Sequence, residues 1–507
     1  MRPHLSPVRR AATAVIRVSA LCVLPITVPV RAQDTTPSVP LAPAVPVTTP
    51  APLDQVTPVA PVAPSVPPYV RARQLSDADT KKKREGTFIT GLPDFSSDPV
   101  AGTGYGVRGS IYWNGKRTDP LFAYTPYRAK LNVNAFATSG QAREFTLSYD
   151  MPYVNGSRWR IKVDAKLRQD PTNLYFGITD DTLGPLRLPS TPEGGPTYSK
   201  FSDFERARKT LRAGGPGEAA FVTDSLSNRF EDKEVMLNLK ADYALGDNGR
   251  WRVLGGYEIQ HLSYETFQGR DASAIDPVTG ASTTAPNGTS LLARDAAAGR
   301  AKGLEGGLLS ILQQAIIFDT RDFEPDPTRG VYFEAANELA LPAIGSAYAF
   351  DKLFFQAKGF KRLPFGPRTV LAGRVGVGNI FGSDAPFFEF QDQWSPDGSV
   401  NALGGARSLR GYRANRFMAR AMWFANIELR TRLAETVIGR QRFALSVAPF
   451  VDAGTVRDKW QALNFNDVRT SYGYGARLAW NQSTIISFDF AKSKEDELFF
   501  FGLGQAF

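Results

Sequence analysis

Cysteine and histidine are almost missing from this chain. Its 507 residues include one Cys, Cys22, and two His, His4 and His261. A single thiol excludes an intramolecular disulfide and any multi-thiolate zinc site. Two histidines, one of them in the first four residues, exclude paired-His metal motifs and argue against a serine triad. No G-x-S-x-G elbow occurs. Gly104-Tyr105-Gly106-Val107-Arg108-Gly109 has G-x-G-x-x-G spacing, but it lies in an alternating strand that runs on to Trp113, with no helix after it. Asn114-Gly115-Lys116-Arg117 has Arg where a phosphate loop needs Ser or Thr. The expectation is therefore no enzyme, no metal and no cofactor. Apolar runs of about 18 residues are also lacking, which excludes helical membrane spans. The net charge of +10 is modest, and five of the arginines lie in the first 32 residues. No compact basic motif remains to suggest a nucleic-acid partner.

Each part of the chain has its own composition. Arg2, Arg9, Arg10 and Arg17 precede an apolar run, Val18–Val30, that ends in Val30-Arg31-Ala32. This is the layout of a secretory signal peptide over 1–32, cleaved before Gln33. Leu21 before Cys22 does not fit a lipoprotein box, which needs a small residue there. Residues 33–84 read as a flexible, Pro-rich periplasmic linker. Between Gln33 and Pro68 there are 11 prolines, no aromatic residue and two charges, Asp34 and Asp54, too little to bury a core. A charged stretch with Lys81-Lys82-Lys83-Arg84 closes it.

From 85 to 507 the period becomes two. Trp159, Ile161, Val163, Ala165 and Leu167 alternate with Arg160, Lys162, Asp164, Lys166 and Arg168. Phe145, Leu147 and Tyr149 alternate with Glu144, Thr146, Ser148 and Asp150. A sandwich core closes within about 250 residues. Here the pattern persists for over 400 residues, with one apolar and one charged face. The fold class expected is all-β: a transmembrane antiparallel β-barrel, apolar face to lipid and charged face to the lumen. Strand candidates are 86–95, 103–113, 129–138, 143–150, 158–168, 234–246, 250–263, 308–320, 330–341, 350–363, 368–381, 420–433, 441–453, 470–480, 484–492 and 496–507. Sixteen is even, so both termini fall on the periplasmic side. The long gaps 169–233, 264–307, 382–419 and 454–469 then all face outward, and 247–249, 364–367 and 481–483 face the periplasm. Pro93 interrupts the first candidate. Parity puts His261 on the lipid face, an interfacial residue and not a base. In the last strand Phe499, Phe501, Leu503 and Phe507 share the face assigned to lipid.

One outward gap holds Leu409-Arg410-Gly411-Tyr412, an aliphatic-Arg-Gly-aromatic tip after a Gly404-Gly405 turn. Phe450-Val451-Asp452-Ala453-Gly454 follows, with Phe450 and Asp452 inward by parity, as is Glu428. If the loop folds inward, Arg410 meets these carboxylates; otherwise it is a surface loop with a chance Arg.

These residues resemble the outer-membrane protein assembly factor and two-partner secretion transporter superfamily, the BamA/TamA-type bacterial surface antigen barrels. The tip Leu409, Arg410, Gly411, Tyr412 and the F-x-D-x-G strand motif with Phe450, Asp452 and Gly454 carry the likeness. Asn426–Arg430 and Asp319-Thr320-Arg321-Asp322 with Pro327-Thr328-Arg329-Gly330 are similar to further segments of it. Tyr175-Phe176-Gly177-Ile178 is a weaker match, with Thr179-Asp180 where Gly-Asn is usual. The resemblance implies a sixteen-stranded barrel, a tip pinned against Asp452 and Glu428, and Phe507 as a C-terminal assembly signal. It implies insertion or translocation of polypeptide, or lipid, in the outer membrane of a Gram-negative-type bacterium. The alternative is a passive or gated pore without a polypeptide substrate. Implied partners are outer-membrane lipid, a polypeptide substrate and the barrel assembly machinery for the chain's own insertion; the barrel is expected to be a monomer. The family's POTRA domains find no room between Gln33 and Glu85.

Overall fold

The computed structural model describes residues 66–507 except Ser76, Pro99, 191–194, Pro367, 439–440 and 482–483. The expected signal peptide, most of the linker and the turn residue Gln482 lie outside the described residues. Sixteen strands form one antiparallel sheet in chain order. They are β1 Thr87–Asp98, β2 Gly102–Trp113, β3 Ala129–Thr138, β4 Arg143–Met151, β5 Trp159–Leu174, β6 Arg229–Leu245, β7 Trp251–Thr266 and β8 Gly307–Asp319. Then come β9 Gly330–Ala340, β10 Phe350–Arg362, β11 Thr369–Phe381, β12 Ala421–Ile438, β13 Gln441–Arg457, β14 Arg469–Trp480, β15 Thr484–Ser493 and β16 Glu497–Leu503. Each expected strand has its counterpart. β5, β6, β12 and β13 run beyond the expected ends, because outside the lipid band a strand need not alternate. β5 and β6 change register between Asp170 and Asn173, the bulge that accommodates Pro171.

Alternation turns Phe145, Leu167 and Leu237 outward and exposed, while Glu334, Glu428 and Asp452 point inward and are fully buried. At the periplasmic ends Trp159 packs edge-on against Tyr243 at 4.9 Å, and Trp251 lies 4.8 Å from Phe318, as in an interfacial aromatic girdle. Among the described residues no helix is long and apolar enough to cross a membrane. This is an outer-membrane barrel, crossing with strands alone.

The barrel is nearly closed. No backbone ladder joins β1 to β16 among the described residues. Across that seam, at the periplasmic end, Thr90 Oγ1 of β1 meets Thr484 Oγ1 of β15 at 3.2 Å, and Tyr112 OH lies 2.8 Å from the same hydroxyl. β1 continues through Pro93, which pairs with Val107. An edge strand tolerates proline because one of its two sides needs no partner.

Residues 66–84, placed by composition in the linker, carry a 3-10 turn, Pro68–Arg73, and a short helix, α1 Asp77–Lys82. Tyr69 and Val70 are buried. The stretch lies across the periplasmic turns. Tyr69 stacks near Tyr153 and its hydroxyl donates to Gly156 O, while Leu75 N donates to Ala123 O at 2.8 Å. Lys83 Nζ donates to Phe122 O and Thr125 O, both at 2.7 Å, and Lys82 pairs with Glu435 of β12 at 3.1 Å. Aromatic and lysine side chains at its end find apolar and carbonyl partners that the proline-rich part could not use.

Outside, loops 175–228 and 267–306 pack together as a cap with two short helices, α2 Phe201–Lys209 and α3 Leu291–Ala297. Tyr175, Leu292 and Ala301 of the cap are buried in one apolar cluster with Phe230 of β6 and Phe387 and Phe388 of loop 382–420, the Tyr175 and Phe387 rings 6.1 Å apart.

Candidate functional site: a loop pinned inside the lumen

Loop 382–420, between β11 and β12, folds into the barrel. Ser408 shapes it: its Oγ lies 2.8 Å from Ala402 O and accepts from Gly404 N at 3.0 Å. Gly404 and Gly405 have φ of +122° and +90°, a turn that side chains disfavour. From this turn the tip projects toward β12–β15. Arg410 Nε and Nη2 grip Asp452 at 2.8 and 2.9 Å, a fork matched to the carboxylate. Its Nη1 donates to Glu428 Oε1 at 2.7 Å, and Asp489 stands 3.4 Å away. The guanidinium also lies 3.4 Å above the Phe450 ring. Arg410, Glu428 and Asp452 are each at most 1% exposed.

Charge alternates through the cluster, with Arg410, Arg430 and Arg477 each facing a carboxylate. Arg430 Nε donates to Glu428 Oε2 at 2.8 Å, and Arg477 Nη1 to Asp489 Oδ1 at 2.7 Å. Asn426 Nδ2 donates to Asp452 Oδ1 at 2.8 Å. Gly411 has φ +86°, and a Cβ there would meet the Lys492 carbonyl carbon at 3.0 Å and Ser471 Cβ at 3.1 Å. Only glycine lets the tip press on β14 and β15. Tyr412 is buried, 5.1 Å from Phe417, and Leu409 is fully buried in the same apolar cluster. A Cβ on Gly454 would stand 2.5 Å from Leu403 Cδ1, so that residue leaves room for the loop to pass.

Several partners were not evident from sequence. Beyond the tip, Arg413 pairs with Asp496 at 2.9 Å and Arg416 with Glu495 at 2.8 Å, tying the loop to the β15–β16 turn. On its descending limb Asp397 reaches the periplasmic end, pairing with Arg321 at 3.1 Å and Lys358 of β10 at 2.6 Å. Arg321 also holds Asp319 at 3.0 Å, so the Asp319-Thr320-Arg321 turn is the loop's second anchor. The signal available for these was a set of inward-facing charges without assigned partners.

The expected place of Phe507 needs correction. It does not face lipid with Phe499 and Leu503. β16 ends at Leu503, Gly504 takes φ +94°, and the following residues turn into the lumen. Phe507 is buried against Phe360, Val370 and Ala372, with Arg374 and Arg430 each 4.9 Å from its ring. Parity fails there because alternation holds only while a strand lasts. His261 is outward on β7, as parity indicated. Among the described residues no group of three or more His, Cys, Asp or Glu side chains is arranged to hold a metal ion.

The geometry defines a class: an outer-membrane barrel with an unladdered first–last seam and an arginine-tipped loop locked in its lumen. Residues 127–507 match the model of the Omp85 superfamily domain, and the chain belongs to that superfamily. Residues 68–128, spanning the periplasmic stretch and the β1–β2 hairpin, match a domain of unknown function, DUF5982. No curated protein matches. Among solved structures the chain is similar to BamA from Haemophilus ducreyi lacking POTRA domains 1–3, at 15% identity and TM-score 0.41, over 83% of this chain and 69% of that one. It is also similar to CdiB from Escherichia coli, at 12% identity and TM-score 0.42, over 82% of this chain and 60% of that one.

Proposed function

We propose that this barrel inserts or translocates polypeptide, or lipid, at the outer membrane, working at the β1–β16 seam as BamA/TamA-type barrels of the superfamily do. The observation that carries this reading is the pairing of an unladdered seam with an occupied lumen. Loop 382–420 runs down the lumen to Asp397 at the periplasmic end, so the axial path is taken. The edges of β1 and β16, by contrast, keep backbone donors and acceptors that a third strand can use. The seam is held at its periplasmic end by hydroxyl contacts, which are weak beside a ladder. Arg410 keeps the neighbouring wall in shape while the seam opens. Phe507 would act here as a signal for the barrel's own assembly, read before the chain end turns inward. Outer-membrane lipid, a polypeptide substrate and the barrel assembly machinery are the partners this reading requires, around a monomeric barrel.

The test is a lock. Thr90→Cys with Thr484→Cys replaces two hydroxyls 3.2 Å apart, and Cys22 is the sole native thiol. The oxidised variant should deplete particular outer-membrane or secreted proteins to the level of a deletion strain, with recovery on reduction. An unchanged outer-membrane and secreted proteome in both strains, with single-channel conductance intact in the locked barrel, would favour the passive or gated pore.

A further inference from the structure

The outer wall is not uniform. Over β2–β7 it carries a hollow of about 780 Å³ beside the extracellular rim, on the face turned to lipid. Two adjacent cross-strand rows build it. The upper row runs Tyr105, Ala137, Arg143, Gln169, Lys233, Ser263, each residue directly opposite the next. The lower row, two residues further from the rim, runs Val107, Ala135, Phe145, Leu167, Val235, His261. The depression arises on β3, where Ala135 and Ala137 stand between bulkier Tyr105 and Val107 on one side and Arg143 and Phe145 on the other.

The two rows differ in chemistry at the outer edge of the wall. Arg143 immediately follows the 139–142 turn, at the outer edge of the wall. It is exposed and makes no ion pair among the described residues. Lys233 is more than half exposed; its Nζ lies 3.2 Å from Glu231, which also accepts from Gln169 Nε2 at 2.6 Å. Two strand spacings separate the Arg143 and Lys233 backbones, roughly 10 Å. The upper row thus offers cations and amide and hydroxyl donors, while the lower row offers hydrocarbon from Val107 to Val235 and one imidazole, His261, at its far end. An unpaired arginine at a lipid-facing edge is satisfied by an anionic headgroup, and its fork suits phosphate.

We propose that this hollow binds a phosphorylated, acylated glycolipid of the outer leaflet, its phosphate on Arg143 and Lys233 and its acyl chain over Ala135 and Phe145. The test uses the purified full-length barrel in detergent, titrated with lipid A, a diphosphorylated acyl-glucosamine disaccharide, and followed by native mass spectrometry. Dephosphorylated lipid A and phosphatidylglycerol serve as comparisons. Lipid A should be retained at least tenfold better than either. Arg143→Glu should remove that preference while leaving heat-modifiable barrel intact. Ala135→Leu with Ala137→Leu should fill the hollow and weaken binding of phosphorylated and dephosphorylated lipid alike. Equal retention of all three lipids, or binding unaltered in both variants, would overturn the proposal. So would protection of the hollow by a co-purifying protein and not by lipid.

Discussion

Loop 382–420 and the stretch 66–85 both lie across the barrel's interior path, and they are fastened by opposite means. The loop is held by ions withdrawn from water: Arg410 at 1% exposure, Glu428 and Asp452 at 0%. The periplasmic stretch is held by three buried side chains, Tyr69, Val70 and Leu75, by the carbonyl contacts of Lys83 and by a pair that water reaches; Lys82 and Glu435 are each 27% exposed. Breaking a desolvated pair strands a charge and costs about 3–5 kcal/mol, whereas exposed pairs contribute about 0–1 kcal/mol. The loop is thus the more firmly fastened of the two, and the periplasmic stretch is the easier to release. The proposed action at the seam would draw on both, a wall that keeps its shape beside the seam and a cover less firmly held at the mouth.

The strongest challenge to that contrast is Arg410→Ala. It should lower barrel stability by about 3–5 kcal/mol in urea titrations of heat-modifiable barrel. Arg407→Ala, three residues away and without an ion pair among the described residues, should cost far less. Arg410→Lys should rescue only in part, because an ammonium cannot reproduce the fork on Asp452. Equal losses for Arg407→Ala and Arg410→Ala would mean the tip is not the anchor. Next in size is Asp397→Asn, which weakens the second anchor by about 1.5–3 kcal/mol. It should raise proteolysis of the descending limb while leaving the Arg410 cluster intact.

Tyr69→Ala should free residues 66–85 with little change in barrel melting, seen as faster amide exchange confined to that stretch. Slower barrel folding or a large drop in melting temperature would show that the stretch is structural. Smallest is a pH effect. Burial at Lys83 lowers its pKa to about 7, partly opposed by Asp119. The docked stretch therefore holds fewer protons than the released one between about pH 7 and the ordinary lysine value, and docking strengthens as pH rises through that window. Exchange protection of residues 66–85 should increase from pH 7 to 9, and Lys83→Met should abolish the trend.

How far the sequence reached depended on which force set each position. Strands were legible because lipid on one side and charge on the other impose a period of two, and sixteen such segments survive even Pro93. The tip motif was legible because Arg410, Glu428 and Asp452 have one mutually satisfying arrangement once parity turns the carboxylates inward. Asp397 and Arg321, 76 residues apart, leave no periodic trace. Phe507 misled because Gly504 ends the alternation that assigned it. The stretch 66–84 was hidden by the proline-rich run that ends at Pro68, and because Tyr69 and Lys83 take their partners from turns distant in sequence.

The path of loop 382–420 also makes it a mechanical linkage. It leaves β11 at the cell exterior, touches Arg321 at the periplasmic end, then climbs past Asp489 and Asp496 beside the seam. One covalent thread thus spans the full depth of the membrane without meeting lipid. Its outer segment, Phe387–Phe390, is joined through backbone alone to the inner rim at Asp397 and to the β15–β16 turn at Arg413. The two rims of the barrel are thus connected by a second route besides the strands themselves, one fastened at Asp397 and again at Arg410.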